Sequence, residues 1–353
     1  MRSLLAPAVA RTFVPDRAAL DAVRQLGRRF PEARLRQVPL VRAADLDERA
    51  DPSGGTRVWL ALEALQVTGS FKVRGALVAL AAATDRRHVV AASGGNHGVA
   101  VAYCACLFGM AATVVVPRAT PPDKLEKIHR YGAELVVAEA GDGGDAEVLA
   151  QRIALKLGAS VLTAQDDVDV ALGNGGSLGF EIVHALGGVP ERVLVPFGRG
   201  GLAAGLAWAF EADVQGPHDR GVWGVESEMS CAMALSLERA TAVAVEEPRS
   251  TGTALADSLQ GGLSANPFAR ARAAIAGVVV ASEAQIAAAM VHAYRDMGLV
   301  LEGGAALALA PALFGLPEGL RGGDLVVILT GRNVGREQLE AVLADARVSG
   351  CGD

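Results

Sequence analysis

Short runs of Val, Ala and Leu that pass through a glycine-rich turn straight into a helical stretch recur along this chain, and they limit its fold more than any other feature. From His88 the sequence reads VVAAS, then GGNHG, then VAVAYCACLFG. Ala112 to Pro117 and Ala133 to Ala138 read as further strands, with a helix from Pro122 to Tyr131 between them. A turn at 141–145, a helix to Leu157 and a short strand from Ser160 to Thr163 complete the unit. Parallel strands need crossovers of this length, and right-handed βαβ units supply them. The rhythm resumes with a helix over Gly179 to Ala185, a strand over Arg192 to Pro196, a helix from Leu202 and a strand over Val222 to Val225. Helices at Glu283 to Arg295 and Ala305 to Leu313 precede a last strand, Leu325 to Leu329. Upstream, Asp16 to Phe30 reads as a helix and Arg57 to Leu65 as a strand. The economical arrangement is one α/β unit inserted in another. Residues 1–84 and 166–353 form a large domain, and 85–165 form a small one.

Composition suits that reading. The chain has 353 residues, 51% of them apolar and only 4% aromatic, with 42 glycines for close helix–sheet packing. A net charge of −6, with no basic stripe to neutralise phosphates, argues against a nucleic-acid partner. The four cysteines, Cys104, Cys106, Cys231 and Cys351, show no paired metal-binding spacing and read as reduced thiols. Apolar runs are cut by glycine and charge, so no membrane partner is expected, and the early stretch Leu4 to Ala10 is broken by Pro7. The expected location is the cytoplasm.

Chemistry concentrates in four segments. In Thr68-Gly69-Ser70-Phe71-Lys72-Val73-Arg74-Gly75-Ala76, one lysine stands between apolar residues, where its charged form is disfavoured. Such an amine attacks carbonyls and can hold an aldehyde cofactor as a Schiff base, although the same residue can also snorkel from a helix start. Three loops follow strands and open helices: Ser93-Gly94-Gly95-Asn96-His97-Gly98, Gly198-Arg199-Gly200-Gly201-Leu202 and Thr330-Gly331-Arg332-Asn333. At the carboxyl ends of parallel strands, loops of this kind offer backbone N–H groups to an anion. The second is the natural phosphate cradle. A dinucleotide reading of that loop, with Glu226 as the ribose-binding acid, competes with it but leaves Lys72 and Asn96 unexplained. His88, His129, His184, His218 and His292 are isolated, and Asp166, Asp167 and Asp169 form an acidic turn without a second cluster.

Taken together, in this order and spacing, these segments resemble the fold-type II pyridoxal-phosphate enzymes, the tryptophan synthase β-subunit-like class. Within it the chain is similar to the threonine/serine dehydratases and serine racemases. Val116-Pro117, Lys124, Tyr131-Gly132-Ala133-Glu134, Gly224-Val225-Glu226, Ala256-Asp257-Ser258-Leu259 and Glu302-Gly303-Gly304-Ala305 extend the similarity over roughly residues 35 to 337. The resemblance implies that Lys72 is the catalytic residue and holds pyridoxal 5'-phosphate as a Schiff base, with Phe71 against it. It implies that Asn96 bonds the ring hydroxyl, that Gly198, Arg199, Gly200, Gly201 and Leu202 hold the phosphate, and that Thr330 meets the pyridine nitrogen. Ser93, Gly94, Gly95, Asn96 and His97 would hold the substrate carboxylate. A homodimer is implied as well.

The implied activity is a lyase of amino-acid metabolism, converting a small β-hydroxy amino acid such as L-serine or L-threonine to a 2-oxo acid and ammonia. A hydroxyl rather than a carboxylate at the pyridine nitrogen weakens the electron sink and favours prompt loss of a β-substituent. The alternatives are β-replacement, dehydration of hydroxyaspartate, racemisation, or a catalytically silent homologue that only binds the cofactor. Gly94 stands where serine racemases carry a serine, so racemisation is expected to be weak. Ala232 stands where the family's cation site has a carboxylate, so no metal is expected. Arg199 and Arg332 replace glycines; they read as surface or structural residues, or one of them as the reader of a second anionic group on the substrate, such as the distal carboxylate of a hydroxyaspartate. Thr163-Ala164-Gln165-Asp166 and Gly173-Asn174-Gly175-Gly176 also depart from the family pattern on the side expected to face the substrate.

Overall fold

The computed structural model describes residues 1–7, 15–84, 87–139, 145–164, 167–213, 221–243, 254–260 and 262–345. Gln165, Asp166, His218, Cys351 and residues 141–144 of the expected turn lie outside them, as do residues 85, 165 and 166 at the expected domain boundaries.

Two sheets organise the chain. The larger has seven strands: β1 (Arg2–Leu5), β2 (Leu40–Arg42), β3 (Thr56–Ala61), β8 (Arg192–Pro196), β9 (Gly221–Ser227), β10 (Ile275–Ala281) and β11 (Gly323–Ile328). Their order is β1-β10-β9-β8-β11-β3-β2, parallel through the centre, with only the two outer strands antiparallel. The smaller sheet runs β6-β5-β4-β7, all parallel, from β4 (His88–Ala92), β5 (Ala111–Pro117), β6 (Glu134–Ala138) and β7 (Ser160–Val161).

The apolar runs are continuous because helices cover both faces of each sheet. Along β11, Leu325 and Val327 enter one core while Val326 and Ile328 enter the other. The first core is closed by α13 (Glu283–Arg295) and α14 (Gly303–Phe314), the second by α9 (Ser177–Leu186) and α10 (Gly201–Asp213). In the small sheet, Val89 and Ala91 face α5 (Asn96–Leu107), whereas Val90 faces α7 (Ala146–Leu157). No described helix is long and apolar enough to cross a membrane.

Three close approaches position α4 (Lys72–Ala82), whose first residue is the candidate lysine. A π-helical turn, Leu172–Gly176, crosses α10 so tightly that a Cβ on Gly205 would lie 2.7 Å from Gly175 Cα. From that turn the buried Asn174 reaches α4, where its Oδ1 accepts the Gly75 amide at 2.9 Å. Arg74, fully buried, donates to both oxygens of Glu63 at 2.8 Å and to both of Glu181 at 2.8 and 2.9 Å. The start of α4 is thereby fixed on three sides.

Candidate active site

The loops at the carboxyl ends of β3, β4, β5, β8 and β11 converge on one cleft of about 490 Å³. That volume lies within the range of small-molecule sites, at the switch-point end of the sheets. The structure brings every candidate residue onto its wall: Phe71 and Lys72, the loop Ser93 to His97, the loop Gly198 to Leu202, and Thr330.

Lys72 and Thr330 are tied through their backbones. Phe71 N–H donates to the Thr330 carbonyl at 3.1 Å, and Ser70 bridges Gly331 in antiparallel fashion. The lysine Nζ lies 5.0 Å from the centre of the Phe71 ring. Burial pushes the amine down to about 8; the negative Glu302 opposes the shift and the positive Arg199 adds to it. At neutral pH such a group is neutral often enough to act as nucleophile or base.

On the other side, Asn96 opens α5 and is held at both ends of its amide. Its Nδ2 donates to Glu302 Oε1 at 2.7 Å, and its Oδ1 accepts from Asn333 Nδ2 at 2.6 Å. One N–H of the amide remains for a ring oxygen. Gly331 permits this arrangement, because a Cβ there would lie 2.8 Å from Glu302 Cδ and 3.2 Å from Asn96 Nδ2. Burial pushes the Glu302 carboxyl up to about 7, with the Asn96 bond opposing. His97 is buried and donates from Nε2 to the Leu162 carbonyl at 3.0 Å, which leaves Nδ1 bare. Burial lowers its pKa to about 4, helped by the charge of Lys72, so the ring is neutral.

The glycine loop has the geometry of an anion cradle. Gly200 adopts φ +80°, where an L side chain is strained, and a Cβ on it would sit 2.5 Å from that of Ala271. The 13-residue α10 starts at Gly201 and points its N-terminus into the cleft. A buried amine, a half-satisfied amide, a backbone cradle and a neutral hydroxyl thus share one cleft, a set that fits an aldehyde-phosphate cofactor.

Glu226 does not serve the dinucleotide reading. Its two oxygens accept the Met233 and Ala234 amides at 2.8 and 2.9 Å, capping α11 (Ala232–Arg239), and burial pushes its carboxyl up to about 8. Of the two unusual arginines, Arg199 lines the cleft and Arg332 does not. Asn174 lines it as well, while its neighbours Gly173, Gly175 and Gly176 are spent on helix packing. Among the described residues no group of three or more His, Cys, Asp or Glu could hold a metal ion.

Sequence reasoning assigned no role to Glu302, Asn333, Thr120 or the pair Lys124–Asp257, which meets at 3.0 Å beside the cleft. Each lay in or near a quoted segment, but only the fold brings them together.

The description of the pyridoxal-phosphate dependent enzyme family matches residues 32–331. An L-threonine ammonia-lyase of Thermotoga maritima is 33% identical over 292 residues, 82% of this chain and 70% of that protein. The catabolic L-threonine dehydratase TdcB of Escherichia coli K12 is 34% identical over 282 residues, 78% of this chain and 83% of its own. The crystal structure of a T.th. threonine deaminase superposes with a TM-score of 0.79 at 31% identity, covering 91% of this chain and 99% of that one. Family match, sheet arrangement and cleft agree: the chain belongs to the pyridoxal-phosphate-dependent enzymes, has their fold-type II architecture, and uses pyridoxal phosphate.

Proposed function

We propose that this enzyme is an ammonia-lyase for a small β-hydroxy amino acid such as L-serine or L-threonine. The observation that carries the reading is the pairing of Lys72 with Thr330 on one cleft, a softened amine opposite a neutral hydroxyl. Relatives named threonine ammonia-lyase and threonine dehydratase support it. Lys72 would hold the cofactor, the loop from Gly198 to Leu202 its phosphate, Asn96 its ring hydroxyl and Thr330 its ring nitrogen. When bound, the cofactor supplies an electron sink for the pair left at Cα.

The protein does the rest. The loop from Ser93 to His97 holds the substrate carboxylate at the uncapped start of α5, and the Lys72 amine takes the Cα proton. The Thr330 hydroxyl, in place of a carboxylate, would not force the ring nitrogen to stay protonated. The same amine, now protonated, would return that proton to the departing β-hydroxyl, so that it leaves as water. Hydrolysis of the resulting enamine returns that water, so the net products are one 2-oxo acid and one ammonia.

Loaded enzyme mixed with serine or threonine should release 2-oxo acid and ammonia in equal amounts. Release of neither, or formation of a β-replacement product with an added thiol, sinks the reading.

A second reading, dehydration of 3-hydroxyaspartate, is favoured by Arg199. Arg199 lines the cleft, its charge acts on Lys72, and its described ionic partner, Glu147, is a long 3.6 Å away. Equal or lower turnover of 3-hydroxyaspartate than of serine dismisses it.

We further infer a cytoplasmic homodimer, on family likeness, to be checked by light scattering. The two sheets support a division into 1–84 with 166–353 and an inserted 85–165.

A further inference from the structure

Gly94 leaves the asparagine loop without a side chain at the point where it faces the cleft, but the space beside it is filled. A Cβ built on Gly94 would overlap Thr120 Oγ1 and lie only 2.7 Å from Thr120 Cγ2. Thr120 follows β5, the neighbour of β4 in the small sheet, and its amide is turned back onto the Pro117 carbonyl at 3.0 Å. Its side chain lines the same cleft as Lys72. Among the described residues its hydroxyl has no hydrogen-bond partner, whereas Ser93 Oγ already accepts the Gly95 amide at 3.2 Å.

The anion-holding end of α5 therefore has an unusual form. The helix is 12 residues long and has no side-chain cap, so its first amides are free. A side chain at position 94 would stand where the Thr120 side chain now lies. Here a hydroxyl arrives from the next strand and occupies that position, with both its proton and its lone pairs unused.

We propose that Thr120 is a substrate-positioning residue whose hydroxyl donates to the α-carboxylate held at the start of α5, taking the place that Gly94 leaves empty. The proposal rests on the amino-acid lyase reading above. It explains why residue 94 is glycine: a larger residue would drive the threonine out of the site.

The test uses the loaded enzyme and two ligands that cannot eliminate. Glycine has the amine and the carboxylate; ethanolamine has the amine alone. Each is titrated while the cofactor absorbance is followed. Thr120→Val keeps the branch and removes the hydroxyl, and should weaken half-saturation by glycine about tenfold or more, the worth of one bond to a charged group. Ethanolamine should bind the variant as it binds the wild type. Thr120→Ser should stay within about threefold of wild type for glycine. Gly94→Ala should reproduce the Thr120→Val pattern by displacing the hydroxyl. If Thr120→Val binds glycine normally, weakens both ligands equally, or loses bound cofactor, the positioning role is overturned. A wild type silent to both ligands overturns the lyase reading instead.

Discussion

Asn96 donates its side-chain N–H to Glu302 across 206 residues of sequence, at 2.7 Å, and Glu302 in turn lies close enough to Lys72 to raise its pKa. One carboxyl thus bonds one of the groups that are to hold the cofactor and acts on the other through its charge. Glu302→Gln keeps an acceptor for Asn96 but removes the charge, while Glu302→Ala releases the Nδ2 end of Asn96 and leaves it held by Asn333 alone. Alanine should therefore cost at least about tenfold in cofactor affinity, and glutamine much less. Fluorescence titration of the cofactor into both variants measures this; equal losses would contradict the assignment.

Lys72 sets the pH at which the empty protein captures its cofactor. Only the neutral amine reacts, and the protonated form dominates below its pKa. With that pKa near 8, the capture rate should climb about tenfold per pH unit up to about 8 and then level off, whereas an ordinary lysine would keep climbing to about 10.4. Removing the positive charge in Arg199→Ala should move the plateau to higher pH, and Glu302→Gln should move it lower. Stopped-flow absorbance across this range reads the inflection directly.

Arg74 stands two residues beyond that lysine, with its side chain and that of Glu63 both wholly buried. Their attraction and that of Glu181 hold the guanidinium pKa above its usual value in spite of burial. Arg74→Ala leaves the Glu63 carboxylate in the core without a counter-charge, which should cost about 3–5 kcal/mol in urea unfolding. The double variant Arg74→Met with Glu63→Gln should recover part of it, since the wholly buried charge is gone and only the partly exposed Glu181 carboxylate is left without Arg74. A loss below about 1 kcal/mol for Arg74→Ala would show that water reaches the site.

Gly205→Ala tests the crossing of α10 over the π-helical turn. The added methyl meets the Gly175 Cα and the Gly176 nitrogen, each at 2.7 Å, and neither is the movable end of a side chain. Overpacking of this kind costs about 1–3 kcal/mol. Because the same turn carries Asn174, the start of α4 should shift too, and cofactor capture should slow along with the fall in melting temperature.

The repeating strands were legible wherever a glycine or proline ends them. The strand Arg192–Pro196 and the helix Glu283–Arg295 are found at the expected residues. Strand β10 carries no such signal, because α12 (Ala265–Ala274) passes into Ile275 with no turn residue between them. The helix expected over Asp16 to Phe30 is broken at Gln25 into two pieces, Arg17–Arg24 and Leu26–Arg29. The strand expected to start at Arg57 stops at Ala61, and Glu63–Leu65 forms a 3₁₀ turn that places Glu63 under Arg74. In the cleft, residues belonging to local loops could be read from spacing. Thr120 and Glu302 could not, because each acts on a partner that only the packing of separate βα units brings near.

Both outer strands of the large sheet come from the first 42 residues, β1 against β10 and β2 against β3, and they are only four and three residues long. The chain's opening segment thus serves as a pair of bumpers: it covers four residues of β10 and three of β3, and offers in their stead rims too short to recruit another molecule's strand. A version starting at Ala43 would lay bare seven residues of Val-rich ladder on one flank and six on the other. Its failure would show first as clumping during refolding, well before any loss at the distant lysine.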